Sequence, residues 1–229
     1  MKEFYILGLG NQCNNNCFCC SYKTENRSKE DIIKEIRNIS KNDILITGGE
    51  PVLYPFFQEI IQELEDKNIT LFSNARAFSK ENITIVIKNM DIKEVIVKFY
   101  SYKSKIHDNI SRAENSFNQA MKGVENLTKN NIKVSAYIPI MNQTVADIKY
   151  LIKELKKINI NEFYLDAIHE KGESNKHYKK IVADNDEIIY ENFNNKIKEH
   201  DIIKDNPECK FNILNIPIKN SKNYTLYKK

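Results

Sequence analysis

The 229-residue chain contains no apolar run long enough to cross a membrane, although 41% of its residues are hydrophobic; a spanning helix needs about 20 consecutive apolar residues. It also lacks a strong excess of either charge. Its 35 basic and 31 acidic side chains leave a formal net charge of +4, too mild to mark a nucleic-acid partner without a clustered basic patch. No targeting segment and no repeat of solenoid length stands out, and the abundant Lys, Asn and Ile residues read as compositional bias rather than as a binding surface. Cysteine is scarce, with five in all. An odd number, four of them crowded between Cys13 and Cys20, does not make a disulfide framework. These absences describe a soluble protein of a reducing, cytoplasmic compartment, long enough for one domain with a sizeable core.

The crowded cysteines are the most informative residues present. Cys13, Cys17 and Cys20 lie in the run Cys-Asn-Asn-Asn-Cys-Phe-Cys-Cys and give the spacing CxxxCxxC. Three thiolates on a tight loop can hold three corners of a 4Fe-4S cube and leave the fourth iron without a protein ligand. A structural zinc knuckle is the alternative, and it needs a fourth ligand from Cys19, Cys209 or a histidine. Cys19 and Cys20 are adjacent and point in different directions, which argues against both serving one metal. Downstream comes a second motif, Gly48-Gly49-Glu50-Pro51.

Between and beyond these motifs, short β-rich runs alternate with amphipathic stretches of helical period. Strands are expected at Phe4–Leu9, Asp43–Thr47, Thr70–Ser73, Glu94–Tyr100, Lys133–Ile140 and Glu162–Ile168. Helices are expected from Ser28, with Asp31 as a capping partner and Ile32, Ile33, Ile36 and Ile39 on one face, at Phe56–Asp66, from about Ser79, at Ser116–Lys129 and at Thr144–Ile158. Six strand-helix units imply a parallel sheet with right-handed crossovers. Functional groups of parallel barrels gather at the C-terminal ends of the strands. Cys13 follows the first strand and Gly48 ends the second, so the two motifs should meet on that rim. On the fourth strand Lys98 and Tyr100 alternate toward the interior if Val97 and Phe99 face the helices, and a buried lysine needs an anionic partner.

The cysteine spacing and the Gly-Gly-Glu-Pro together resemble the radical S-adenosylmethionine (radical SAM) enzymes, and the resemblance covers residues 1 to about 170. It implies an α/β fold, a partial (βα)6 barrel of TIM type with a parallel sheet. Residues 1–170 would form the core, and residues 171–229 a short helical or extended tail closing the barrel. It implies one 4Fe-4S cluster on Cys13, Cys17 and Cys20, with SAM chelating the open iron and cleaved reductively to a 5'-deoxyadenosyl radical that abstracts hydrogen from a substrate. Gly48, Gly49 and Glu50, followed by Pro51, would present backbone to the methionine amino group of SAM. A Cβ at the glycines would obstruct that approach, so Gly49→Val is expected to cost SAM binding and to spare the cluster.

Further contacts follow from the same resemblance. Ser73 and Asn74 would face the amino-acid part of SAM, Lys98 its carboxylate, and His169, in Asp166-Ala-Ile-His169-Glu-Lys-Gly172, would touch it as in glycyl-radical-enzyme activases. His107-Asp108, with Ser116-Phe117 and Gly123 to Leu127, echoes small members of the family; a surface His-Asp pair is the alternative. The residue before the third cluster cysteine is often aromatic in the family and packs near the adenine. Here it is Cys19, with Phe18 one place earlier, so Cys19 would contribute backbone while its thiol stays a small buried group.

Beyond Gly172 the pattern suggests a helix over Glu187–Glu199 and a short strand over Phe211–Ile218. Cys209 alone cannot build an auxiliary cluster. The resemblance implies a low-potential electron donor such as a flavodoxin or ferredoxin and, for a small accessible rim, a peptide or protein substrate. Within the same class the alternative is a glycyl-radical-enzyme activase; from another class, a non-catalytic Fe-S electron-transfer or metal-sensing protein. Hydrogen abstraction needs no acid or base, so no catalytic side chain is singled out. A second hydrogen donor, if required, would be Cys19, Cys209 or a tyrosine.

Overall fold

A computed structural model of the chain describes residues 4–21, 26–168, 170, 172–181 and 210–212. Six strands, β1 (Tyr5–Gly8), β2 (Asp43–Thr47), β3 (Asn68–Ser73), β4 (Glu94–Lys98), β5 (Lys133–Ile140) and β6 (Glu162–Ala167), lie in chain order and all run parallel. A seventh, β7 (Lys210–Asn212), pairs parallel to β6 and overlaps the start of the expected tail strand Phe211–Ile218, the rest of which lies outside the described residues. Among the described residues no ladder joins β1 to β6 or β7, so the barrel is open. The expected tail helix over Glu187–Glu199 lies outside the described residues.

Both faces of a parallel strand are buried, and alternation decides what each face meets. Ile44, Ile46, Leu71, Val95, Val97, Phe99, Ala136 and Ile138 join the large cluster under the helices. Leu45, Ile96, Tyr137 and Tyr164, with Phe4, Ile6 and Phe72, form a separate cluster inside the barrel. The β4–β5 register pairs Ile96 with Ser135 and Lys98 with Tyr137, which puts Lys98 on the inner face as expected. At the N-terminal end of the interior, Lys133 Nζ bridges Glu94 at 3.2 Å and Glu162 at 2.7 Å, while Ser135 Oγ also donates to Glu94. This ionic group occupies the end of the barrel away from the cysteines.

The helices are α1 (Lys29–Ile36), α2 (Phe57–Gln62), α3 (Glu81–Asn89), α4 (Ser104–Ser111), α5 (Ser116–Lys129), α6 (Ile148–Lys156) and α7 (Tyr178–Ile181). The expected cap is present: Ser28 Oγ accepts from Asp31 N at 3.1 Å and donates to its carboxylate at 2.7 Å. Ile32, Ile36 and Ile39 are buried, and Ile33 packs against the same cluster. Three helices are shorter than their apolar period suggests: α2 ends at Gln62 rather than Asp66, and 3-10 turns lead into α3 and α6. Arg76–Ser79 precedes α3 and Val145–Asp147 precedes α6. No helix among the described residues is long and apolar enough to cross a membrane.

Candidate functional site

The C-terminal ends of β1 and β2 continue their pairing beyond the strands. Leu9 N donates to Thr47 O at 2.9 Å, Gly49 N to Gly10 O at 2.7 Å and Glu50 N to Gln12 O at 2.7 Å. The Gly48-Gly49-Glu50 segment therefore lies alongside the approach to Cys13, and the two motifs meet on the rim as their positions after β1 and β2 require.

This contact also explains Gly49. A Cβ there would stand 2.1 Å from Gln12 O, 2.5 Å from Gln12 C and 2.6 Å from Asn11 O, distances that no real Cβ tolerates. The obstruction is the backbone of the cysteine loop itself, so the expectation that a side chain at Gly49 disturbs SAM alone is corrected: it strikes the loop first. Since the Gly49 and Glu50 amides are spent on that loop, the Gly48 and Gly49 carbonyls are left among the described residues, and carbonyls suit a donor such as an amino group.

Glu50 is fully buried. Its carboxylate accepts from Ser73 Oγ and from Asn74 N, both at 2.7 Å. Burial pushes its pKa up to about 7 against the opposing effect of these bonds. Ser73 Oγ further accepts from Ala75 N at 2.9 Å. Asn74 Nδ2 donates to Asn14 Oδ1 at 2.8 Å and stands 3.8 Å from Cys13 Sγ. Ser73 and Asn74 thus tie the end of β3 to Glu50 and to the cysteine loop. Pro51, itself buried, begins a 3-10 turn, Pro51–Leu53.

The loop from Cys13 to Cys20 is held from several directions. Asn16 N donates to Ser111 O at 2.9 Å, and Cys20 N to Cys17 O at 3.2 Å. Arg76, which sequence reading passed over, donates to Asn15 Oδ1 at 2.6 Å, to the Asn14 carbonyl and, through Nε, to Gln119 on α5 at 2.7 Å. Cys13 is exposed and Cys17 and Cys20 are half-buried, while Cys19 is 1% exposed. It is the burial that sets Cys19 apart as a small core group; that burial also pushes its thiol up to about 12.

Beneath the loop, inside the barrel, stand Lys98 and Tyr100. Lys98 Nζ lies 5.6–5.8 Å from the ring centroids of Phe72, Tyr100 and Tyr137. Burial pulls its pKa down, but the nearby Cys19, Cys20, Cys17 and Cys13 sulfurs outweigh that and leave it raised. No carboxylate of the described residues forms an ion pair with it. Tyr100 OH donates to Cys17 Sγ at 3.1 Å, and Asn15 N to Cys13 Sγ at 3.3 Å. The donors and the Lys98 ammonium favour the thiolate, the form in which cysteine binds metal, while burial works against it and pushes the Cys13 thiol up to about 12 and the Cys17 thiol up as well. Among the described residues no three His, Cys, Asp or Glu side chains converge on one point as the ligands of a single ion would. Thiolates on separate irons of a cube have no need to converge.

Tyr137 was missed from sequence, and burial removes one of the two readings of His107. Tyr137 OH donates to Asp166 Oδ2 at 3.0 Å inside the barrel; alternation along β5, in register with Lys98, was the available signal. His107 is 2% exposed, not part of a surface pair. Asp108 caps α5, accepting from Ser116 Oγ and Phe117 N, both at 2.8 Å. His169 and Cys209 lie outside the described residues. The segment after β6 returns to the cysteine loop. Ser174 N donates to Cys20 O at 3.1 Å, and Gly172, at φ +59°, sits so near that a Cβ would be 2.9 Å from the same carbonyl.

The sequence profile of the Radical SAM superfamily matches residues 7–155, a span holding both motifs and five of the six strand-helix units. The chain belongs to this superfamily. Members work with a 4Fe-4S cluster and SAM and require a reductant. Among proteins, the radical SAM chain is 21% identical over 178 residues to one of Saccharolobus islandicus assigned as a GTP 3',8-cyclase, covering 72% of this chain and 57% of that one. It is 24% identical over 189 residues to one of Methanocaldococcus jannaschii assigned as a glycyl-radical enzyme activating enzyme, covering 72% and 48%. The chain thus spans about half the length of these relatives. Among solved structures it resembles SuiB of Streptococcus suis, with a TM-score of 0.70, 17% identity and coverage of 91% of this chain and 48% of SuiB. SuiB has also been seen bound to SAM and to the precursor peptide SuiA. At that identity the likeness speaks for the fold.

Proposed function

We propose that this radical SAM enzyme carries one 4Fe-4S cluster on Cys13, Cys17 and Cys20, binds SAM at the open iron and acts on a peptide or protein. The observation that carries this reading is the continuation of the β1–β2 pairing, which sets Gly48-Gly49-Glu50 beside the cysteine loop above the interior that holds Lys98 and Tyr100. The cluster and SAM, when bound, supply reductive cleavage of a carbon-sulfur bond and a 5'-deoxyadenosyl radical that takes hydrogen from the substrate.

The chain's own residues hold and orient. The Gly48 and Gly49 carbonyls accept from the methionine amino group, and Lys98 answers its carboxylate. Ser73 and Asn74 serve at one remove, by fixing Glu50 and the Cys13 turn. Cys19 lends backbone, and His169 contacts SAM from the segment after β6. Residues 171–229 form an extension of the 1–170 core, supported by the hydrogen bond from Ser174 N to Cys20 O. A flavodoxin or ferredoxin delivers the electron. The peptide reading draws on SuiB, whose fold covers most of this chain; the M. jannaschii relative supports glycyl-radical-enzyme activation as the second reading.

The test is anaerobic reconstitution with iron and sulfide, followed by dithionite and SAM. 5'-Deoxyadenosine and methionine should form slowly alone and faster with the true substrate. A fully loaded, reduced protein yielding no 5'-deoxyadenosine above the cluster-free control would favour an electron-transfer or metal-sensing role instead.

A further inference from the structure

A radical SAM cluster must accept an electron at low potential, and the protein sets that potential through charge, solvent exposure and hydrogen bonds to the cluster sulfurs. One side-chain hydroxyl in the barrel is aimed at such a sulfur. Tyr100 OH donates to Cys17 Sγ at 3.1 Å, from a side chain 2% exposed. The interior tyrosine of β5 is committed elsewhere, since Tyr137 OH donates to Asp166.

Tyr100 is also held from behind. Its backbone N–H donates to His107 Nδ1 at 3.3 Å, and the two rings lie 5.1 Å apart. His107 is walled in by Phe99 and Phe117, at 6.0 and 5.4 Å. An Nδ1 that accepts this bond is unprotonated. Burial lowers the His107 pKa to about 4, so the ring keeps that acceptor at neutral pH. One residue back, Phe99 N donates to Tyr137 O at 2.9 Å. A side chain this constrained holds its hydroxyl in one direction with little freedom to turn away.

We infer that Tyr100 is a positioning residue for electron entry: its hydroxyl bond to the Cys17 sulfur raises the reduction potential of the cluster, and His107 keeps it in place. The physical reason is charge. Reduction adds one electron to the centre, part of that charge resides on the ligand sulfurs, and a proton donated to one of them stabilises the reduced state more than the oxidised one. The inference rests on Cys17 being a cluster ligand.

The test is an EPR-monitored redox titration of the reconstituted chain, without SAM. Tyr100→Phe keeps the ring and removes the donor. At the potential where the wild type is half reduced, its reduced-to-oxidised ratio should fall several-fold; a tenfold fall corresponds to about 59 mV for one electron. Iron content should be unchanged. A fluorinated tyrosine at position 100, a stronger donor of the same shape, should move the ratio the other way, and Tyr137→Phe should leave it where it was. An unmoved potential in a fully loaded Tyr100→Phe protein overturns the inference while leaving the functional reading intact. Should Tyr100→Phe fail to load, the fluorinated protein decides by the same criterion. Wild-type protein that builds no cluster fails the functional reading itself.

Discussion

Cys13→Ala, Cys17→Ala and Cys20→Ala should each reduce iron in the reconstituted protein from about four atoms per chain, the content of one cube, to the background level. Cys19→Ala and Cys209→Ala should keep it. The three motif cysteines ride one loop whose hydrogen bonds come from the ends of β1, β2 and α4 and from Arg76, so losing one thiolate leaves the loop in place but the cube without a corner. Cys19 is 1% exposed among Tyr100, Ile110, Met141 and Ile168. Its truncation removes a small buried group, a loss of about 1 kcal/mol in stability that thermal denaturation would register. Iron and sulfide analysis with the visible absorption of the cluster checks all five proteins. A cluster lost in Cys19→Ala and kept in Cys20→Ala would reassign the third ligand.

Gly49→Val should lose the cluster and SAM binding together. An ideal Cβ already overlaps the Gln12 carbonyl at 2.1 Å, and valine adds two methyl groups, so the Asn11–Gln12 backbone must move. That movement breaks the Gly49-to-Gly10 and Glu50-to-Gln12 bonds. Two such bonds at roughly 1 kcal/mol each, with overpacking strain of about 1–3 kcal/mol, put the loss near 3–5 kcal/mol, concentrated on the loop that carries Cys13. Iron content and SAM affinity measured on the same preparation check this. Full iron with SAM affinity alone abolished would mean that the loop yields cheaply and that Gly49 serves the cofactor directly.

How far the structure could be read from sequence depended on the kind of signal. β2 and β5, with their runs of aliphatic residues, and α5, with Ala120, Val124 and Leu127 on a regular stripe, were found to the residue. Helix α4 was missed because its buried positions are His107, Ile110 and Ser111, a face with a single aliphatic residue. The meeting of the two motifs followed from strand ends alone, and the inward placement of Lys98 and Tyr100 from two-residue alternation. Hidden from sequence was where backbone groups are spent. That the Gly49 and Glu50 amides serve Gly10 and Gln12, and that Glu50 binds Ser73 and Asn74 rather than facing outward, depends on how neighbouring loops nest. No periodicity records that nesting. Arg76 was overlooked for the same reason, since its partners Asn14, Asn15 and Gln119 are distant in the chain.

The most direct test of the central claim, an open iron on three cysteines beside the Gly48-Gly49 carbonyls, is the EPR spectrum of the reduced cluster in one sample before and after SAM is added. Binding at the open iron predicts a changed spectrum, saturating with SAM and absent with the cluster-free chain. An unchanged spectrum at saturating SAM, in a protein with full iron content, would contradict it.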